Sequence, residues 1–478
     1  MKNAFVAFAF SCATAALFAA PTIKEKSVTF DFSVRTRLVT IDYELVNGPA
    51  IITVDIQTNR TGAATAVAAD WVSIGGENLK TLTSDLPLGV MTAGDGPHKA
   101  FWRPDEDWPD HDVVNGAIRA VVTAWTEADP PNYLVVDLVN PSNRWFYLDA
   151  SFLPKGGLSN NYYRTDAMVM SRIPAKGVKW VMGSPSTEAG NGASAASEHQ
   201  HYVMLTNDYY MAVFELTFGQ VRKFAGTESA SKDGGKTYYI NRFNCNSQFA
   251  YQYYTHMWGD DEDVYLSTTT TNLYPVNEMH HGFLRGATPV NWPVTRHYVN
   301  SKSFCGLLRT KTGIDFDLPT EAQWEFAARA GTGTATYNGS FVKVSETQVS
   351  FKDVLDPIAW YDSHNGMWGQ GNIRCHVVGR LKPNAFGLYD LFGNMDECCL
   401  DRYDKDYGGI DDIHEITYEP EGPTSTAERV YRGGYCGYSY TTMRAASRHT
   451  HQQWYGARLI CPVGLLYPAS EKTEPAAQ

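Results

Sequence analysis

Two stretches decide how this chain of 478 residues is built, "LPTEAQWEFAARAG" at 318–331 and "PNAFGLYDLFGNMDE" at 383–397. In the first, Thr320 and Gln323 have the spacing of a capping box, so a short helix is predicted that stops at Gly331. The second is punctuated by Gly and Asn and places carboxylates on both sides of a Gly-Asn turn. A capped helix among irregular turns predicts a loop-rich α+β domain.

The sequence pattern before these two stretches is different. Residues 22–150 contain runs of period two such as "LVTIDYEL" and "IITVDIQT", which predict an antiparallel β-sandwich. A second capping box, Thr217 with Gln220, predicts another short helix inside the α+β domain. The predicted organisation is therefore a signal peptide at 1–20, an all-β sandwich domain at 22–150, a linker at 151–175, the loop-rich domain at 176–463 and a disordered tail at 464–478.

The first 20 residues have one cation at Lys2, then an apolar run, then small residues before Pro21. This is the layout of a secretory signal peptide, so we expect a secreted, periplasmic or cell-surface protein. No later run reaches the roughly 18 apolar residues that a membrane span needs, so no transmembrane segment is expected.

Composition favours a folded protein and disfavours nucleic acid as a partner. The chain is 43% hydrophobic, 13% aromatic and only 19% charged, which provides ample material for a core. Its formal net charge is -12, and no Lys/Arg stripe is present to attract phosphates.

Eight cysteines are present, and Cys12 lies in the predicted leader, which leaves an odd number for the mature chain. None forms the CxxC pairs of a structural zinc site. In an oxidising compartment we therefore expect disulfides and at least one cysteine without a partner in the chain.

Five motifs in order resemble the formylglycine-generating enzyme family, also called the sulfatase-modifying factor domain. They are the two stretches quoted above with "MGSP" at 182–185, "ELT" at 215–217 and "RVYRGG" at 429–434. The resemblance covers about 176–463 and implies a C-type-lectin-like fold with little regular secondary structure. The family includes the oxidase that converts a sulfatase cysteine to formylglycine, iron-dependent sulfoxide synthases and members that only bind ligands, so each site needs its own argument.

A structural calcium site is predicted in "YDLFGNMDE". The carboxylates of Asp390 and Glu397 and the carbonyls of Gly393 and Met395 could converge on one ion, and calcium at this motif is also what the resemblance implies. The alternative is that the carboxylates cap the amides of the turn itself.

The resemblance also implies two catalytic cysteines five positions apart that bind copper. Those positions fall on Tyr440 and Ala445, which argues against copper because neither is a soft ligand. Cys436 lies nearby and is interpreted as buried or disulfide-bonded. The structural disulfide that the resemblance implies falls on Cys305 and Cys461.

Histidine ligation of iron is the next option. His199 with His201, and His449 with His451, form HxH pairs whose side chains share one side of an extended strand. The iron-dependent relatives use an HxxxExxH-like motif that this sequence lacks, so iron is disfavoured as well. A metal-dependent oxidoreductase, of the formylglycine-generating or the nonheme iron type, stays the alternative to a binding protein.

The stretch from 435 to 455 has the composition of a recognition face, rich in aromatic and hydrogen-bonding side chains. Its candidate ligand-binding residues are Tyr435, Tyr438, Tyr440, Arg444, Arg448, His449, His451, Trp454 and Tyr455. An alternative is a polar loop packed on its own domain, with both arginines pairing buried acids. The sequence favours a secreted ligand-binding protein without formylglycine-generating activity, whose partner is a glycan, a peptide or another surface ligand; a variable protein of a diversity-generating retroelement is a further alternative.

Overall fold

The structure is a computed structural model with two compact units, Met1–Ile74 with Thr81–Thr126, and Gly75–Lys80 with Glu127–Gln478. It describes residues 19–59, 67–114, 116–191, 197–224, 230–233, 236–239, 271–276, 279, 281–286, 290–345, 348–362, 375–407, 415–424, 426, 428–450 and 455–472. The predicted signal peptide lies almost wholly outside these residues. Where it is described, the chain is predominantly β with few helices.

In its described residues, the first unit has two antiparallel sheets. Its strands are β1 Thr22–Ile23, β2 Asp31–Ser33, β3 Leu38–Val46, β4 Ala50–Asn59, β5 Trp71–Ser73, β6 Thr83–Ser84, β7 Met91–Thr92, β8 Gly96–Trp102 and β9 Ile118–Trp125, with one short helix, α1 Pro104–Asp107. One sheet has the order β1-β3-β8-β6 with β2 beside β3, and the other has the order β5-β4-β7 with β9 beside β4. Alternate residues of β3 are buried, as the period of two predicts.

The second unit contains the remaining strands and helices. Its strands are β10 Tyr133–Asp137, β11 Arg144–Tyr147, β12 Ala167–Ile173, β13 Lys179–Met182, β14 His201–Met204, β15 Tyr209–Ala212, β16 Ala230–Asp233, β17 Lys236–Tyr239, β18 Val342–Lys343, β19 Val349–Ser350, β20 Ala359–Trp360, β21 Phe392–Gly393, β22 Asp396–Arg402, β23 Ile416–Tyr418, β24 Arg429–Arg432, β25 His449–Thr450, β26 Tyr455–Gly456 and β27 Ile460–Pro462. Its helices are α2 Tyr162–Thr165, α3 Phe218–Phe224, α4 His281–Arg285, α5 Phe304–Thr312, α6 Glu321–Arg329 and α7 Lys352–Leu355. Within the described ranges, no helix is long and apolar enough to cross a membrane.

The largest sheet of this unit corrects two expected boundaries. Its order is β11-β10-β12-β15-β27, so β10 and β11 belong here and not to the N-terminal domain expected at 22–150. The expected linker at 151–175 supplies β12, whose Met170 pairs with Leu134 on one side and with Ala212 on the other. The apolar run of β12 is buried between two neighbours, which a linker would not be.

Both predicted helices are confirmed. In α6 the Thr320 hydroxyl accepts from the Gln323 amide at 3.2 Å, and the Gln323 side chain accepts from the Thr320 amide at 2.9 Å. In α3 the same reciprocal pair joins Thr217 and Gln220. The capping boxes satisfy amides that a helix leaves without partners at its start, so local sequence was enough to place both helices.

The described part of the expected tail, 464–472, is packed within the second unit. The ring of Tyr467 stacks on His297 with centroids 3.6 Å apart, and the Lys472 ammonium lies 2.8 Å from an Asp315 carboxylate oxygen. These contacts correct the expectation of disorder for 464–472, and the rest of the tail lies outside the described residues.

Candidate functional site

The site is built on the Gly-Asn turn between β21 and β22. Gly393 has φ of +74°, and a Cβ added there would lie 1.9 Å from the Trp360 carbonyl oxygen, so only glycine fits. Asn394 follows with φ of +58°, in the left-handed region that Asn tolerates better than most residues. The turn therefore passes directly against β20, with which β21 pairs.

The carboxylate that caps this turn is Glu215, from the "ELT" motif. Its two oxygens accept from the Met395 amide at 2.9 Å and from the Asn394 side-chain amide at 2.7 Å. Burial, and then the nearby Asp390 and Glu397 carboxylates, raise the pKa of Glu215 well above its usual value. The sequence suggested capping by a carboxylate inside the turn motif, whereas a residue far away in sequence does it.

Glu397 is bound by a cation from the protein itself. Arg458 donates from Nε to Glu397 Oε1 at 2.9 Å and from Nη2 to the same oxygen at 2.6 Å. The indole Nε1 of Trp324 donates to Glu397 Oε2 at 2.6 Å. Arg458 also donates to backbone carbonyls, among them Ala212 and Tyr389. A guanidinium therefore neutralises Glu397 in a fully buried pair.

The predicted calcium ligands do not fit an ion together. Asp390 has one buried oxygen, Oδ1, without a hydrogen-bond partner, while Oδ2 accepts from the Gly379 amide at 2.6 Å. Burial raises the pKa of Asp390 to about 6. Because Arg458 supplies the positive charge at Glu397, the set of Asp390, Gly393, Met395 and Glu397 is not an open oxygen cage. In the described part of the chain, no group of three or more His, Cys, Asp or Glu could hold a metal.

The two positions where the family resemblance places cysteines are packing positions here. Tyr440 stacks on Phe351 with centroids 4.0 Å apart and meets Phe341 edge-on. Ala445 is completely buried, and its amide donates to the Ala335 carbonyl at 2.7 Å. Tyr440 is half-buried, and its ring contacts Phe351 and Phe341 and not Tyr435, Tyr438 or His449, so the described contacts do not join it to the other predicted face residues.

The assignment of Arg444 and Arg448 to the ligand-binding face is wrong, since both are buried and paired with acids. Arg444 donates to the two oxygens of Glu198 at 2.7 and 3.0 Å and to Glu188 at 2.9 Å. Arg448 forms a bidentate pair with Glu321 of α6. The hydrogen-bond donors of both guanidiniums are therefore used inside the protein and are not available to a ligand. This agrees with the alternative prediction, in which both arginines pair with buried acids.

A smaller aromatic group remains partly exposed, and we call Tyr435, Tyr438, His449 and Asp396 the Tyr438 cluster. Tyr438 lies edge-on to Tyr435 with centroids 4.3 Å apart and to His449 at 5.6 Å. The His449 Nε2 atom lies 2.6 Å from Asp396 Oδ1, so a buried carboxylate orients the imidazole. Burial raises the pKa of both tyrosines, to about 12 for Tyr435, so both phenols keep their protons at neutral pH.

Other predicted members of the face are not brought into this cluster by described contacts. His451 and Trp454 lie outside the described residues, and Tyr455 is described only by its backbone in β26.

The first HxH pair lies away from this cluster, where His199 and His201 both contact the Tyr407 ring, with centroids at 5.1 and 4.5 Å. Asp396 is a site residue that sequence reasoning missed, because nothing in its spacing from His449 signals the contact.

The expected disulfide between Cys305 and Cys461 is not formed in the structure. Both are buried thiols, and Cys461 Sγ lies 3.8 Å from the sulfur of Met170. A different pair is adjacent, with Cys375 Sγ 3.0 Å from Cys436 Sγ. Sequence gave no partner for Cys436, since Cys375 lies 61 positions away.

Comparison with known proteins gives the family context. The family model described as "Sulfatase-modifying factor enzyme 1-like domain" matches residues 165–461. The serine/threonine-protein kinase pkn1 of Chlamydia pneumoniae is 31% identical over 137 residues, which are 28% of this chain and 18% of that protein. The formylglycine-generating enzyme of Streptomyces coelicolor is 31% identical over 145 residues, which are 28% of this chain and 41% of the enzyme. This chain thus spans less than half the length of these curated relatives.

Two solved structures are also similar. PvdO from Pseudomonas aeruginosa is 18% identical, with a TM-score of 0.37 over 62% of this chain and 94% of PvdO. Treponema denticola variable protein 1 is 22% identical, with a TM-score of 0.34 over 62% of this chain and 95% of the other.

Proposed function

Because this chain belongs to the sulfatase-modifying factor enzyme 1-like domain family, we propose that it is a ligand-binding member, exported by its N-terminal leader and binding a glycan or peptide through the Tyr438 cluster. The single observation that carries the proposal is the partly exposed cluster of Tyr435, Tyr438 and His449 over the buried Asp396. Tyrosine rings give large, stiff contact area with a polar end, and an imidazole oriented by a carboxylate adds a directed hydrogen bond.

The oxidase activity of the formylglycine-generating relatives is not proposed for this chain. Tyr440 and Ala445 stand at the positions where the resemblance implies paired cysteines, and neither is a soft metal ligand; Ala445 is buried, and the half-buried Tyr440 ring stacks on Phe351. The arginines beside them are committed as well, Arg444 to Glu198 and Arg448 to Glu321. The residues at and around these two positions thus support a family domain without the paired thiolates that bind a soft metal.

The proposal is tested by comparing the full chain with its Tyr438→Ala variant on a glycan array and on a peptide array. We expect the wild type to bind a defined set of probes and Tyr438→Ala to lose at least roughly tenfold in affinity, about 1.4 kcal/mol, for the same probes. Tyr418→Ala is the matched control, because Tyr418 is exposed in β23 of the same unit and takes no part in the cluster.

Equal loss in both variants would show that the cluster does not carry binding. A second arm incubates the chain with a sulfatase-derived cysteine peptide, and its conversion to formylglycine would contradict the assignment as a binding protein.

A further inference from the structure

We propose that Cys375 and Cys436 form a native disulfide against the Gly-Asn turn, whose Asn394 contacts both residues. Their sulfurs are 3.0 Å apart, and both residues are at most 1% exposed. That separation is about 1 Å longer than a disulfide bond. The proposal does not depend on what, if anything, the Tyr438 cluster binds.

One residue positions both cysteines. The Asn394 carbonyl oxygen accepts from the Cys436 amide at 2.9 Å and from the Cys375 thiol at 3.3 Å. The Asn394 side chain in turn accepts from the His376 amide at 2.8 Å, next to Cys375. Because Asn394 is itself fixed by Glu215, the two sulfurs are brought together by a rigid turn and not by two mobile loops.

The distance favours a covalent bond over a shared metal ion. Two thiolates on a tetrahedral ion with bonds of about 2.3 Å would have their sulfurs roughly 3.8 Å apart. The observed 3.0 Å is shorter than that spacing. In addition, no third His, Cys, Asp or Glu among the described residues completes a metal site with this pair.

The bond forms by exchange with a small-molecule disulfide such as oxidised glutathione. One cysteine thiolate attacks a sulfur of that disulfide and releases one small thiolate, which gives a mixed disulfide on the protein. The second cysteine thiolate then attacks the mixed disulfide and releases the other small thiolate. Two electrons pass to the small disulfide, and the two protons lost by the cysteines are taken up by the released thiolates. Since both sulfurs are buried in the folded chain, the exchange takes place while the chain folds.

The bond would join Cys375 to the turn at 435–438, which the Tyr438 amide closes by donating to the Tyr435 carbonyl and which carries two members of the Tyr438 cluster. It also accounts for two of the odd number of cysteines outside the leader. Cys305, Cys398, Cys399 and Cys461 remain buried thiols.

The test uses the full-length chain directed to the bacterial periplasm by a strong export signal. The protein is alkylated in denaturant without reduction, digested and analysed by mass spectrometry. We expect a linked peptide pair containing Cys375 and Cys436, lighter by two hydrogen atoms than the sum of its parts and separated by reductant. Complete alkylation of both cysteines, or a bond from either one to another cysteine, would overturn the proposal.

A set of variants gives a second readout. Cys375→Ala, Cys436→Ala and the double variant each lose the same bond, so their melting temperatures are expected to fall by the same amount. If the two thiols are independent packing residues, the loss in the double variant equals the sum of the two single losses, and the proposal fails. Cys398→Ser is the control, since it removes a buried thiol of the same unit and should leave the linked peptide intact.

Discussion

Replacing Glu397 with Gln tests whether the cation at the turn is Arg458 or a bound ion. Gln keeps the size of the side chain and can still accept from the Trp324 indole, but it removes the negative charge. Arg458 is completely buried, so its guanidinium would lose the carboxylate that receives three of its hydrogen bonds. Breaking one side of a buried ion pair costs about 3–5 kcal/mol, because the remaining charge is left without compensation.

This cost can be converted into a melting temperature. Unfolding entropy is about 2.1 cal/mol/K per residue, and the second unit has roughly 350 residues, which gives about 0.75 kcal/mol/K. The expected drop for Glu397→Gln is therefore about 4–7 °C in the transition of that unit. Differential scanning calorimetry of the full chain measures it, in calcium and again in EGTA.

Glu127→Gln is the matched control, because Glu127 pairs with Arg144 at the surface of the same unit at 3.6 Å. An exposed pair contributes at most about 1 kcal/mol, so this variant should melt within roughly 1–2 °C of the wild type. The reasoning is refuted if Glu397→Gln melts like the control. It is also refuted if the loss appears only in calcium, since Glu397 would then act through an ion and not through Arg458.

Three further predictions concern the same unit. Burial raises the pKa of Asp401 to about 7, above its unfolded value near 4, so the folded state holds a proton that the unfolded chain releases. The wild type is therefore expected to lose stability as the pH rises from 5 to 8. Over that range its free energy of unfolding, measured by urea denaturation at each pH, should fall by about 3 kcal/mol more than that of Asp401→Asn. A flat difference between the two proteins would contradict this. Thr320→Ala removes the helix cap that pairs with Gln323 and should cost about 1 kcal/mol in the same assay, whereas a neutral result would show that tertiary packing alone holds the helix. Gly393→Ala places a Cβ against the Trp360 carbonyl and should cost at least about 4 kcal/mol or abolish soluble expression; a soluble variant with normal melting would refute the close approach.

Local sequence was sufficient to predict an element wherever the interactions that form it join residues close together in the chain. The capping boxes at Thr217 and Thr320 predicted the two helices because the hydrogen bonds that start a helix join residues three apart. The period of two predicted the strands of the first unit for the same reason, since alternate side chains lie on opposite faces. The family motifs predicted the kinship of the second unit, which the family match at 165–461 confirms.

The domain boundaries were harder to predict from the sequence, because a strand belongs to whichever sheet receives its hydrogen bonds. The β10 and β11 segments have the same pattern as the strands of the first unit, but they pair with β12. The Gly- and Asn-rich segment that contains β12 resembled a linker until its neighbours on both sides were known.

The charged residues of the site show most clearly what could not be predicted from the sequence, namely which charges pair with each other. The resemblance placed the family's paired cysteines at Tyr440 and Ala445, and the sequence itself showed acids on both sides of a Gly-Asn turn and two arginines, Arg444 and Arg448, in the same stretch. Only the tertiary structure decided their partners, and it joined Arg444 to Glu198 across 246 positions and Arg458 to Glu397 across 61. A buried charge must be neutralised by whichever opposite charge folding brings to it, and that choice depends on the whole fold and not on the neighbouring residues.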